Sequence, residues 1–160
     1  MFNLKGRVAV VSGASSGLGA QMARGFAKQG ADLVITARRL EKLESLAEEL
    51  RGYGVKCLPV KCDVTKPEEV NRAAIAAEKE YGKVDILVNC AGSAKNAGVL
   101  NMTDEEWHYT MDADLNSVFY VTRAFANIMK KNNYGRIINI ASMYGLVGNT
   151  AMDTVAYHSS

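Results

Sequence analysis

Short apolar runs of strand character alternate along this chain with longer segments whose apolar residues recur every three or four positions. No other feature of the sequence constrains the fold as much. Arg7 to Ser12 is the first strand-like run; Leu18, Met22 and Phe26 then recur at four-residue spacing, predicting a helix closed by Gly30. Leu33-Val34-Ile35 predicts a second strand, and Leu40, Leu43, Leu46, Ala47 and Leu50 put one apolar stripe on a second helix. The third strand spans Lys56 to Lys61, where Pro59, unable to donate to a ladder, predicts an edge position. Thr65-Lys66-Pro67-Glu68 has the form of a capping box opening a helix that ends near Gly82, and Ile86 to Asn89 is a fourth strand. Thr103-Asp104-Glu105-Glu106 is a second box, opening a long helix whose positions Met111, Leu115, Phe119, Thr122, Ala126 and Met129 run at helical spacing. After the polar turn Asn132-Asn133-Tyr134-Gly135 comes a fifth strand, Arg136 to Ala141. Strands separated by helices of this length predict right-handed crossovers and a parallel sheet covered on both faces. The chain therefore reads as one domain over 1–160, an α/β fold with a doubly wound sheet. Ligands are expected at the carboxyl ends of its strands.

Charge adds exclusions. Lys and Arg number 19 against 17 Asp and Glu, a net charge of +2, and this near-balance predicts no nucleic-acid partner. The charge-free windows Val8 to Ala23 and Ile137 to Met152 are rich in Gly, Ser, Asn or Thr and shorter than the ~20 apolar residues of a spanning helix, so no membrane partner is expected. The N-terminus enters a strand at once, without a signal-peptide pattern, and a cytoplasmic protein is expected. Cys57, Cys62 and Cys90 lack Cys-x-x-Cys spacing and have only His108 and His158 to assist, which supports neither a zinc site nor a disulfide framework. Buried thiols in or beside strands are the expected alternative.

The strand ends hold the chemistry. Ser12-Gly13-Ala14-Ser15-Ser16-Gly17-Leu18-Gly19 leads from the first strand straight into a helix. Glycines allow a tight turn and close approach of a phosphate, while free amides and the helix dipole supply a positive field. A plain strand-to-helix turn needs fewer glycines. No Gly-Lys-Ser/Thr follows, which disfavours a nucleotide triphosphatase. The second strand ends in Arg38-Arg39, where a carboxylate would select the 2′-hydroxyl of NAD and an arginine the 2′-phosphate of NADP. Solvated surface charge is the bland reading of both arginines. Asp63, with Val64 after it, ends the third strand and either accepts from an adenine amine or leads into the Thr65 cap. Asn89-Cys90-Ala91-Gly92 offers small residues and amides against which a ribose or nicotinamide fits. Ser142 ends the fifth strand and Tyr157 lies fifteen residues on. From chemistry alone, a turn serine and a packing tyrosine remain the simpler reading.

In this order and placement, Ser12 to Gly19, Asp63, Asn89 to Gly92, Ser142 and Tyr157 resemble the classical short-chain dehydrogenase/reductase family across essentially all 160 positions. The resemblance implies a Rossmann-type sheet of strand order 3-2-1-4-5 and NAD(P)-dependent interconversion of alcohol and carbonyl. It implies Tyr157 as general acid/base, Ser142 as the group polarising the substrate oxygen, and no metal. It assigns Ser12, Gly13, Gly17 and Gly19 to the cofactor loop, and the expected cofactor site adds Ser15, Ser16, Leu18, Arg38, Arg39, Asp63, Val64, Asn89, Ala91 and Gly92. Ser12 stands for the usual threonine and Cys90 for the second asparagine of Asn-Asn-Ala-Gly. Seven residues after Trp107, Asp114 stands where the family has an active-site asparagine and joins the catalytic set; Asn116 lies roughly 200° away on a helix. The Asp112-to-Asn116 run is similar to that of sugar-acid dehydrogenases such as gluconate dehydrogenases. The family's lysine falls immediately after Ser160, so this chain is expected to be part of a longer, homo-oligomeric enzyme. The helix carrying the tyrosine and the later strands that complete the sheet and substrate pocket would lie beyond it. The expected activity is hydride transfer between NADP(H), or NAD as second option, and a small substrate: a sugar acid, polyol or 3-oxoacyl compound. A noncatalytic dinucleotide-binding or interaction protein is the alternative.

Overall fold

The computed structural model describes residues 3–148 and 153–160. Five strands, β1 (Val8–Ser12), β2 (Asp32–Ala37), β3 (Cys57–Lys61), β4 (Ile86–Asn89) and β5 (Arg136–Asn139), pair in parallel in the order β3-β2-β1-β4-β5. Pro59 lies on edge strand β3, where its missing amide costs no ladder bond on the open side.

Alternate residues of the strands feed two cores. Ala9, Val11, Leu33, Ile35 and Val88 pack on one face with α1 (Gly17–Lys28) and α2 (Leu40–Arg51). Val8, Val10, Val34 and Leu87 pack on the other with α3 (Pro67–Tyr81) and α5 (Ser117–Lys131). All of β1 is consequently buried, as a strand covered on both faces must be. Asp85, just before β4, crosses to the start of β1: it accepts from Arg7 Nη1 at 2.7 Å and from the Val8 amide at 2.9 Å.

The helices pack and start differently from what spacing alone suggests. Helix α1 packs through Gly19, Ala20, Ala23 and Ala27, small residues that let its backbone approach the sheet. Met22 and Phe26 are only partly buried and Leu18 is 64% exposed. Thr65 does not cap α3. Pro67 takes the first helical position, which moves the start one residue on, and the Thr65 amide and hydroxyl both donate to Asp63 Oδ1 at 3.1 and 2.8 Å. The Thr103–Glu106 box does form, opening α4 (Asp104–Met111). A π-helical segment, Asp112–Asn116, then joins α4 to α5. The buried side of this composite helix is Thr110, Ala113, Ser117, Val121, Phe125, Ile128 and Met129; of the residues picked out by spacing Met129 is buried, whereas Leu115 is 44% and Phe119 58% exposed.

A 3-10 turn, Met143–Gly145, follows β5, and a short helix α6 (Val155–Ser159) carries Tyr157, so the tyrosine's helix begins within this chain. Residues 149–152 of the intervening loop lie outside the described residues. Among the described residues, no helix is long and apolar enough to cross a membrane and no cluster of His, Cys, Asp or Glu is placed to hold a metal. Cys57 and Cys62 are buried and Cys90 is half-buried; all three are free thiols, and burial pushes Cys57 and Cys62 up to about 12.

Candidate active site

The carboxyl ends of all five strands open into one cleft of about 1400 Å³. Its walls include Gly13, Ser15, Ser16, Leu18, Gly19, Arg38, Arg39, Asp63, Val64, Asn89, Ala91, Gly92, Asp114, Ser142 and Tyr157. Of the residues expected from sequence, Ser12 and Gly17 are not among its lining.

Ser12 is a fastener. Its buried hydroxyl donates to the Val88 carbonyl at 3.3 Å and accepts from the Cys90 and Ala91 amides at 3.1 and 3.2 Å, tying the end of β1 to the loop after β4. Gly13 beside it has φ +71°, and a Cβ there would sit 2.7 Å from the Ala91 Cα. Only glycine allows the two loops to meet so closely. Gly17, at φ +59°, starts α1 with open space where a side chain would be.

The α1 N-terminus is bare. Ser16 stands at its N-cap without a capping hydrogen bond, and no acidic residue lies in the first turn, so its amides and dipole field remain for an anion. The serine hydroxyls turn outward instead: Arg39 Nη2 donates to Ser15 Oγ at 2.9 Å and to Ser16 Oγ at 3.1 Å. Arg39, the second arginine of the pair, therefore borders the loop that opens α1. Arg38 faces Tyr109 on α4. The Tyr109 phenol is held below the usual tyrosine value by its hydrogen bond with Ser93, and further by Arg38 and Lys95, against the opposing effect of burial.

Asp63 lines the cleft, but its Oδ1 already accepts from Thr65 and its amide donates to Glu69 Oε2 at 2.8 Å. Asn89 is buried; its Nδ2 donates to Thr122 Oγ1 at 2.9 Å and Asn139 Oδ1 at 2.8 Å, bracing β4 against α5 and β5.

At the far end stand the two hydroxyls. Ser142 Oγ accepts from the Tyr144 amide at 3.2 Å, which leaves its hydrogen to donate. Tyr157 packs edge-on against Tyr144, ring centroids 6.2 Å apart. Asp114 is among the residues that line the cleft, its Oδ1 accepting from the Ser93 amide at 2.7 Å. Asn116 instead donates to Asp112 Oδ1 on its own helix. Tyr109 and Ser93, which sequence reasoning missed, also line the cleft and share a 2.8 Å hydrogen bond. Tyr109 sits two residues past Trp107, but nothing in its spacing marks the side it faces.

A family model described as short chain dehydrogenase matches residues 7–160. Nodulation protein G of Rhizobium sp. (strain N33) is 42% identical over 149 residues, covering 93% of this chain and 60% of that protein. The NADP-dependent mannitol dehydrogenase of Hypocrea jecorina is 36% identical over 162 residues, covering 99% of this chain and 61% of that protein. A short-chain type dehydrogenase/reductase from Mycobacterium marinum has a TM-score of 0.95 at 34% identity, over 99% of this chain and 64% of that one. The chain thus spans about 60% of the length of these curated relatives. Sheet order, strand-end cleft and sequence agree along nearly the whole chain, which belongs to the short-chain dehydrogenase family.

Proposed function

We propose that this chain carries the cofactor site and reacting hydroxyls of an NADP(H)-dependent oxidoreductase that interconverts a secondary alcohol and a ketone. One observation carries the reading: a bare helix N-terminus bordered by Arg39, Ser15 and Ser16 shares a cleft with Ser142 and Tyr157. A phosphate site and an acid/base pair in one cleft suit a dinucleotide oxidoreductase better than a binding module.

The residues present fit a dinucleotide. The diphosphate belongs at the first turn of α1, where Gly17 leaves room and Gly13 and Gly19 keep the loop flat. A 2′-phosphate belongs beside Arg39, with the Ser15 and Ser16 hydroxyls as further donors and Arg38 across the mouth. Val64, Ala91 and Gly92 present small surfaces to the remaining rings, and Asp63 flanks the adenine end. When bound, the nicotinamide supplies or accepts the hydride. Ser142 holds the substrate oxygen by donating to it, and Tyr157 gives or takes that oxygen's proton. Asp114 fixes the wall opposite.

The name of the mannitol dehydrogenase relative favours a polyol and its ketose as substrates, ahead of a sugar acid or a 3-oxoacyl compound. Assembly of like copies is consistent with exposed Leu115 and Phe119. Absorbance of NADPH, followed across ketoses, keto acids and 3-oxoacyl esters with the intact protein and its Tyr157→Phe variant, tests the reading. Turnover on at least one carbonyl, lost in the variant, is expected. Tight NADPH binding without turnover on any of them would favour a noncatalytic binding protein.

A further inference from the structure

The two hydroxyls of the cleft stand on separate elements. Ser142 begins the 3-10 turn after β5, and Tyr157 rides on α6, fifteen residues later. The serine side chain is short, and its oxygen is already engaged by the Tyr144 amide at 3.2 Å. The tyrosine is long, and a change of its χ1 rotamer swings the hydroxyl through several ångströms. Two groups that serve one substrate oxygen need a fixed spacing, so some neighbour must select the tyrosine rotamer.

Tyr144 reaches both. Its amide engages Ser142, and its ring meets Tyr157 with 6.2 Å between centroids and 73° between planes, the T-shaped arrangement that aromatic quadrupoles favour. The same ring lies against His158 at 5.0 Å and 40°. Tyr157 and His158 are consecutive on α6 and so point about 100° apart, with the Tyr144 ring wedged into the angle between them. His158 is itself a tethered support. Its Nδ1 lies 2.8 Å from the Thr154 carbonyl oxygen, which can only accept, so Nδ1 carries the hydrogen and donates. None of these contacts uses the Tyr144 hydroxyl, and Tyr144 is not among the residues lining the cleft. Whatever it does for the site, it does through its neighbours.

We infer that Tyr144 is a positioning residue whose ring, backed by His158, holds the Tyr157 side chain in a single rotamer and so fixes the phenol in the cleft it shares with Ser142. The inference rests on the proposed function in taking Ser142 and Tyr157 as the reacting pair, but the placement it asserts is read without turnover.

Three-bond NMR couplings from the Tyr157 backbone nitrogen and carbonyl carbon to its Cγ give the χ1 populations in the intact protein and in Tyr144→Phe, Tyr144→Leu and His158→Ala. One dominant rotamer is expected in the parent and in Tyr144→Phe, which keeps the ring. The minor rotamers are expected to rise at least about threefold in Tyr144→Leu, and to rise also in His158→Ala, which withdraws the support. With NADPH and a reducible carbonyl, kcat of Tyr144→Leu is expected to fall about tenfold or more while the NADPH dissociation constant stays within about twofold, because a misplaced proton donor slows the step without weakening the cofactor. A role in stability alone would lower the melting temperature and leave rotamer and kcat as in the parent. Averaged couplings already in the parent, an unchanged rotamer in Tyr144→Leu or in His158→Ala, Tyr144→Phe behaving as Tyr144→Leu, or kcat undiminished beside a scattered rotamer would each overturn the proposal. Loss of turnover and NADPH affinity together would overturn it too. Scattered rotamers in variants of a protein that itself turns over no carbonyl would sink the oxidoreductase reading and leave the placement of Tyr157 by Tyr144 standing.

Discussion

Two neighbouring arginines do different work. Arg39 is already oriented by Ser15 and Ser16, whereas Arg38 faces Tyr109. Arg39→Ala is therefore expected to weaken NADPH binding by about 2 kcal/mol, roughly thirtyfold, with NADH nearly unaffected, as one charge-assisted contact to a phosphate would. Arg38→Ala is expected to weaken NADPH less, but again chiefly NADPH. Fluorescence titration with both cofactors checks this, and equal losses for the two would contradict it. From sequence the pair could be proposed as a phosphate reader, but which member borders the loop depends on side-chain direction, which spacing does not encode. Asp85 offers a test of stability. Burial pushes its carboxyl up, but hydrogen bonds from Arg7, the Val8 amide and Lys83 outweigh that and hold it below the ordinary value. A lowered carboxyl contributes stability above its unfolded pKa of ~3.9 and loses it as pH falls through the folded value. Asp85→Asn is expected to cost about 1–3 kcal/mol near neutral pH in urea unfolding, with the deficit shrinking in acid.

Among the elements, strands were more legible than helix faces. A strand buried on both sides reads as a continuous apolar run, as Val8 to Val11 does, whichever face each side chain takes. A helix must be read in phase. Helical spacing marks where a helix runs but not which side it buries: α1 settles on the sheet through alanines and glycine, leaving Leu18 to line the cleft. In the long helix two stripes compete, and the one carrying Phe125 and Ile128 is buried. The same close packing makes the loop after β1 intolerant. Gly13→Ala combines a positive φ with a Cβ 2.7 Å from the Ala91 Cα, both backbone constraints that no rotamer relieves. A loss of more than about 2 kcal/mol in thermal unfolding is expected, together with impaired cofactor binding. An unchanged melting temperature would show that the two loops move apart freely.

At the scale of the whole molecule, the strand order brings Asp114, Ser142 and Tyr157 to the walls of one cleft at one end of the sheet, where a sequence without a G-x-G-x-x-G motif still pointed. Ser142 and Tyr157 were legible only through family resemblance, since nothing in their spacing brings a strand end and a later helix together. The sheet also has an exposed flank. Ile137 and Ile138 on β5 are each 43% exposed, and no described strand pairs with the far edge. A polypeptide of these 160 residues is expected to self-associate, seen as concentration-dependent light scattering that a lysine at Ile138 reduces. A monodisperse parent would contradict this. The central claim is that the cleft moves a hydride between a nicotinamide and a secondary carbinol carbon with Tyr157 as proton donor. Following deuterium from NADPH that carries deuterium at both C4 positions, in the intact protein, tests it most directly. The label is expected on the carbinol carbon of the product alcohol, with transfer lost in Tyr157→Phe; product alcohol without label, or transfer undiminished in the variant, would contradict the account.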